Sequence, residues 1–251
     1  VSTSLAEPGI PLAVLCVVMA LLAAIVYRVS GIGPSFTVPA AALRGVAQLA
    51  AVSLVLTAAL EYLWSSLLVL LAMFIAAAFT SARRSESGRS GSWLAIPLAA
   101  GVGVVVPLCL MTGVVPAQGI AIVPVGGIIL GGTMIATSLA ARRSLDALSQ
   151  RRGEVEAALS LGLSERDSRL EVIRPTAADA LLPGLDQTRT VGLVTLPGAF
   201  VGVLLASGSA IQAGAVQILV LLGILLAQSL AVSFTVEFVA RGYVRRSPRV
   251  E

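Results

Sequence analysis

Long uninterrupted apolar runs constrain this chain more than any other feature. Stretches of about 18 or more residues with almost no charge recur along it. In water, no fold of this size hides that much apolar helix. In a hydrocarbon layer about 30 Å thick, a helix of about 20 residues spans and satisfies its own backbone. Charged residues make up 12% of the sequence and hydrophobic ones 57%, whereas a soluble domain carries roughly 25% charged residues. The chain is expected to be an all-α, multi-pass membrane protein.

Two absences narrow the chemistry. The sequence has no His and no Lys, so all 17 basic residues are Arg. The phosphate-binding loop of an ATPase needs a Lys after its glycines. A retinal pigment needs one for its Schiff base. Zinc, haem and triad chemistry built on His is excluded too. No catalytic residue, metal ligand set or resident cofactor is expected. Cys16 and Cys109 sit inside apolar runs and are read as buried thiols acting as small hydrophobes.

The runs predict about seven transmembrane helices. The first is Ile10 to Tyr27, with Glu7 before it and Arg28 after it, the reverse of a signal peptide's charge order. The second ends at Leu60, after a start at Phe36 or Arg44. The third is Tyr62 to Thr80, the fourth Trp93 to Met111, and the fifth about Gly119 to Ala141. Residues 142–190 break the pattern with clustered Arg and acidic residues. The sixth is placed at Val191 to Leu205 and the seventh at Ile211 to about Ala240. Threaded this way, every Arg falls on one side or at that side's helix ends, and Glu7 and Glu61 lie opposite. Positive loops stay cytoplasmic, so the N-terminus is expected outside and the C-terminus inside. This placement also accounts for the pI near 9.8 without nucleic acid. The whole of residues 1–251 reads as one transmembrane domain with a cytoplasmic insertion.

In that insertion, Leu145, Leu148, Val155 and Leu159 recur at helical spacing, so helix five is expected to continue beyond the membrane. Gly162 is a C-terminal stop. Ser164, with Asp167 three residues on, starts a second helix through a capping box. Pro175 is expected to end it. The spelling Glu156-Ala157-Ala158, Gly162, then Val172-Ile173-Arg174-Pro175 resembles the EAA loop of ABC permeases. That resemblance implies a coupling helix, with Glu156, Ala157, Ala158, Gly162, Ser164 and Pro175 forming the contact for a separate P-loop ATPase subunit. ATP and Mg would be handled there.

From Pro124 to Gln217 the chain is similar to FetB-type iron-export permeases. The similarity is carried by Gly126-Gly127-Ile128-Ile129-Leu130-Gly131-Gly132-Thr133-Met134-Ile135-Ala136-Thr137-Ser138-Leu139 and by the run from Leu182-Pro183-Gly184 through Asp186-Gln187-Thr188-Arg189 to Leu196-Pro197-Gly198-Ala199-Phe200-Val201-Gly202. Members commonly carry Asn-Ser-Met where this chain has Gly132-Thr133-Met134. The resemblance implies a permease of the bacterial inner membrane, paired with its ATPase and exporting iron or another metal or small solute. One such chain is half the usual membrane complement, which implies a homodimer.

Polar groups at membrane depth are the candidate path. Thr133 and Thr137 are four apart and share a helix face, as do Met134 and Ser138. Gln48, Gln187 and Gln217 add amides, and Pro197 is expected to kink helix six. Each also has a packing role open to it, since Ser, Thr and Gln bond neighbouring helices in bilayers. Gly127 with Gly131, and Gly198 with Gly202, are small-xxx-small pairs expected to pack helices. An ion-gradient-driven transporter would need membrane-embedded carboxylates, and none is evident. A seven-helix receptor or scaffold is the other alternative.

Overall fold

The computed structural model describes residues 9–31, 33–59 (backbone alone from 55) and 62–246. Glu7, Leu60, Glu61 and Arg249, part of the pattern above, lie outside the described residues. Among those described, one isolated bridge, Val191 to Thr195, is the sole β feature. The chain divides into two compact units, Val1–Glu61 and Tyr62–Glu251.

The first unit pairs α1 (Ile10–Val29) with α2 (Thr37–Ala59). Pro11 lies in the first turn of α1, where its missing N–H costs nothing. Ala24 is the one buried residue of α1. The other faces present Leu, Val and Ile outward, a surface suited to lipid tails and not to water. Cys16 is exposed on that surface, contrary to the expected buried thiol, because α1 carries apolar residues all round and most of them face outward within this unit.

The second unit holds α3 (Leu63–Arg84), a 3₁₀ stretch (Gly88–Leu94), α4 (Ala95–Met111), α5 (Gly119–Gln150), α6 (Arg152–Ser160) and α7 (Glu165–Ala177). A 3₁₀ turn (Ala178–Leu181), α8 (Leu182–Thr190), α9 (Gly198–Ser207) and α10 (Ala210–Ala240) complete it. The long helices α5 and α10 form its centre. They pack on each other, α4 lies against both, α3 covers α5, and α9 covers α10. Lipid tails are as apolar as Leu, so burial does not drive this association, and close packing of small residues has to. A Cβ on Gly101 would stand 2.6 Å from the Ala227 carbonyl oxygen, so α4 and α10 touch backbone to backbone there. Ala227 and Ala231 are fully buried on the same face. One core cluster contains Val105, Cys109, Ile129, Val220 and Ile224. Another, at the arginine-rich end, joins Leu94, Leu145, Leu170, Ile173, Val239 and Val244.

Among the described residues, six stretches are long and apolar enough to cross a bilayer: Ile10–Val29, Thr37–Leu54, Leu63–Arg84, Gly88–Met111, Gly119–Gln150 and Ala210–Ala240. The expected sixth helix, Val191 to Leu205, is different. Val191 is extended, with φ −61° and ψ 134°. Gly192 then takes φ +80° and donates to the Thr195 carbonyl at 2.9 Å, while the Thr190 carbonyl accepts from Val194 at 2.9 Å. Helix resumes only at Gly198, and Pro197 is its N-cap. Pro197 therefore starts a helix and does not kink one. The ten residues of α9 reach about 15 Å, half a hydrocarbon layer. Residues 191–197 are as apolar as a span, but a left-handed glycine and a proline without an N–H break the ladder.

Candidate coupling site

The insertion at 142–190 is assembled from the end of α5, then α6, α7, the 3₁₀ turn and α8. Helix α5 does run on past Ala141, to Gln150, with Leu145 buried and Leu148 packed on the same cluster. At Arg151 the backbone leaves helical geometry, with φ −111° and ψ 35°. Its guanidinium donates from Nε to Glu154 at 2.7 Å and from Nη1 to the Val172 carbonyl at 3.3 Å, tying the start of α6 to α7. The bond to Glu154 holds that carboxyl below, and the Arg151 guanidinium above, its ordinary range. Val155 is half-buried on α6, and Leu159 faces out.

Helix α6 ends in a Schellman turn. The Leu163 N–H donates to the Ala158 carbonyl at 3.2 Å, and the Gly162 N–H to Leu159 at 2.9 Å. Gly162 has φ +92°, and a Cβ added there would meet nothing within 4 Å. Its dihedral angle, and not a close helix contact, therefore calls for glycine. The Ser164 hydroxyl accepts from the Asp167 N–H at 3.1 Å and donates to its carboxylate at 2.7 Å, a reciprocal cap that fixes the start of α7. Pro175 does not end α7, which continues two residues to Ala177. The ring lies on the exposed side of the last turn, so the chain passes it and then tightens to 3₁₀ at Ala178. Glu156 is exposed and paired with Arg152 at 2.9 Å, and Ala157 is exposed beside it.

One face of α7 is built into the protein. Leu170, Ile173 and Ala177 are buried with Leu145 of α5 and Val239, Ala240 and Val244 at the end of α10. Arg166 grips Glu237 of α10 with two bonds of 2.7 and 2.8 Å, which hold the Arg166 guanidinium above its usual range. Glu237 also takes Arg241 at 2.5 Å. Arg169 donates to the Ala240 carbonyl at 3.2 Å, satisfying a terminal group of α10. Arg143 of α5 pairs with Asp179 at 2.7 Å. The opposite edge is unattached and apolar: Leu159, Leu161 and Leu163 are 39%, 82% and 38% exposed.

The hydroxyl-bearing residues Thr133, Thr137 and Ser138 of α5 are buried. Thr133 and Thr137 share the buried face, and Thr133 donates to its own helix at Ile129, 2.7 Å. Ser138 likewise donates to Met134 at 2.8 Å, and Met134 is half-buried. Thr137 Oγ1 and the side-chain carbonyl oxygens of Gln217 and Gln228 are buried without a protein partner. The Gln228 amide donates to the Gly132 carbonyl at 3.1 Å, and Gly184 of α8 lies so close that a Cβ there would sit 2.2 Å from Gln228 Oε1. Gln187 is exposed on α8, and Gln48 is exposed in the first unit. Gly127 packs against Met73 of α3, but side chains at Gly131, Gly198 or Gly202 would meet nothing within 4 Å. Among the described residues, no three of His, Cys, Asp and Glu group closely enough to hold a metal ion.

A model of the uncharacterised protein family UPF0014 matches residues 11–244. The chain belongs to UPF0014. A UPF0014 membrane protein of Synechocystis sp., slr1647, is 34% identical over 186 residues, covering 72% of this chain and 71% of that protein. The UPF0014 membrane protein STAR2 of rice is 32% identical over 156 residues, covering 62% of this chain and only 55% of the rice protein's own length. The Escherichia coli protein named probable iron export permease protein FetB is 29% identical over 181 residues, covering 68% of this chain and 69% of that protein. No solved structure matches the chain.

In this UPF0014 membrane protein, sequence reasoning passed over Leu161, Leu163 and Arg166. Two leucines flanking the stop glycine of an otherwise charged segment were a readable sign of an apolar tip. Arg166 gave no such sign, because its partner Glu237 lies 71 residues away.

Proposed function

We propose that this chain is the permease subunit of an ABC transporter, driven by a separate P-loop ATPase that docks on residues 156–175. The observation that carries the reading is the apolar tip at Leu159, Leu161 and Leu163, held on a capped helix that is fixed to both α5 and α10. Exposed leucines on a braced helix suit a hydrophobic groove in a soluble partner, and the bracing turns a push on the tip into a load on two long helices. ATP and Mg belong to the partner, and the chain itself has no catalytic role. The cargo is iron, as the name of the E. coli relative suggests, or another metal ion or small solute. Two copies form the translocation unit, with Gly131, Gly198 and Gly202 free to receive the second copy. The site is the bacterial inner membrane, N-terminus outside and C-terminus inside. The seventh crossing is made in two pieces by α8 and α9. Support for it comes from α8 lying at the depth of Gln228, midway along α10, and from α9 packing on α10.

The test is co-purification with the P-loop ATPase expected from a neighbouring gene, followed by ATP hydrolysis in liposomes. The expected result is a stable complex whose hydrolysis needs the permease, with L161D/L163D losing at least tenfold in binding while the variant stays folded. Full binding by that variant, and by Gly162→Trp, would overturn the docking assignment.

A further inference from the structure

Between the last turns of α3 and the 3₁₀ stretch leading into α4 lies a groove of about 780 Å³. Its floor is apolar, formed by Phe74, Ile75, Ala78 and Phe79. Its rim is cationic, with Arg83, Arg89 and Arg246 around Glu86. The charge of Glu86 is already met, by Arg246 at 3.3 Å and Arg142 at 3.8 Å. Arg83 lies over the Phe79 ring, 5.6 Å from its centroid. Among the described residues, neither Arg83 nor Arg89 reaches a carboxylate within 4.0 Å. The rim thus keeps two uncompensated positive charges directly above a greasy bed.

The height of the groove is marked independently. Trp93 and Tyr243 stack at 5.2 Å, with Phe238 edge-on to both. They adjoin Ser92 and the C-terminal run that reaches Arg246, both lining the groove. Such aromatic clusters belong at the headgroup level of a bilayer, and a basic pocket between helices at that level selects acidic headgroups.

We propose that this groove binds an anionic phospholipid, its phosphate held by Arg83 and Arg89 and an acyl chain laid along Phe74, Ile75, Ala78 and Phe79. A free phosphate would leave the floor unused. A peptide would bring backbone N–H and C=O groups onto apolar side chains that cannot satisfy them. A zwitterionic headgroup would bring its own cation beside the arginines. The inference depends on membrane insertion alone, not on the ATPase reading.

The full chain in detergent micelles holding equal phosphatidylglycerol and phosphatidylcholine, followed by native mass spectrometry, tests it. Wild type is expected to retain phosphatidylglycerol selectively. In R83A/R89A that preference should fall about 30-fold, the loss of two interfacial charges, while Arg84→Ala, off the groove, leaves it unchanged. Ala78→Trp, which fills the floor, should reduce retention of lipid of either kind. Equal retention of both lipids by wild type, or an unaltered preference in R83A/R89A, overturns the proposal. So does displacement of the lipid by millimolar inorganic phosphate, which would make this a phosphate site.

Discussion

Glycine is asked to do opposite things at Gly101 and Gly131. At Gly101 the missing side chain is what lets α4 meet the α10 backbone, because a Cβ would lie 2.6 Å from the Ala227 carbonyl oxygen. At Gly131, on the neighbouring helix, a methyl group would meet nothing. Gly101→Val is therefore expected to destabilise by about 1–3 kcal/mol or more through overpacking, lowering the thermal midpoint of the detergent-solubilised chain. Gly131→Ala should be neutral or stabilise the single chain by up to about 1 kcal/mol, the helix propensity gain. A reduced fraction of dimer in Gly131→Ala, read by crosslinking at unchanged thermal midpoint, would place a second copy at that open face. The sequence shows both glycines in apolar helices and gives no means of telling them apart. Which one is crowded depends on the neighbour that tertiary packing brings, not on the local pattern.

At the level of elements, side-chain and glycine caps were legible in the local spelling, whereas the prolines misled: Pro175 lies inside α7 and Pro197 starts α9. Ser164 with Asp167 caps α7, and Gly162 closes α6, as their spelling foretold. The break at Arg151 was not legible, because Leu145, Leu148, Val155 and Leu159 keep helical spacing straight through it. Nor was the fastening of α7 to α10, since ion pairs across 71 residues leave no periodic trace. That fastening has a measurable consequence. Arg166 makes two bonds to Glu237, whose side chain is 25% exposed against 42% for Arg166. Solvent reaches both, so the pair is expected to contribute only a small stabilising coupling, as exposed pairs do. A double-mutant cycle on Arg166→Gln and Glu237→Gln, read by thermal unfolding, should return a coupling of that sign. Under the proposed coupling, the same single variants should keep ATPase binding and lose much of the ATP-driven transport, since the tip would stay intact while its brace loosened. A coupling near zero would mean that the buried contacts of Leu170 and Ile173 hold α7 alone.

For the whole molecule, the arrangement of charge and the broken segment at 182–207 have to agree. Helix α10 ends among Arg241, Arg245 and Arg246, and the insertion ahead of α8 is also rich in Arg. If both lie on the cytoplasmic side, the start of α10 lies on the other, and the chain must cross between Leu182 and Ala210. Neither α8 nor α9 can do that alone, because each spans about half of a hydrocarbon layer. Joined through the turn at 191–197 they are long enough, and non-helical backbone at such depth is tolerated where protein buries it. Sequence patterning expects one continuous helix from Val191 to Leu205, and the structure has a turn and the short α9 there, since hydropathy registers apolar residues and not the backbone bonds that Gly192 and Pro197 remove. Single cysteines in a Cys16→Ser, Cys109→Ala background settle the matter. With a membrane-impermeant maleimide on intact cells, Ala117→Cys and Ala206→Cys are expected to react, and Ser160→Cys only after permeabilisation. Labelling of Ala206→Cys together with Ser160→Cys would mean that α8 and α9 return to the side they left. In that case α10 would carry its arginines outward, against the positive-inside bias, and the docking surface and the C-terminal clamp on α7 would have to face opposite sides of the membrane. The contacts of Arg166 with Glu237 and of Arg169 with the Ala240 carbonyl hold α7 against the end of α10, which is the observation that favours the proposed two-piece crossing over that alternative.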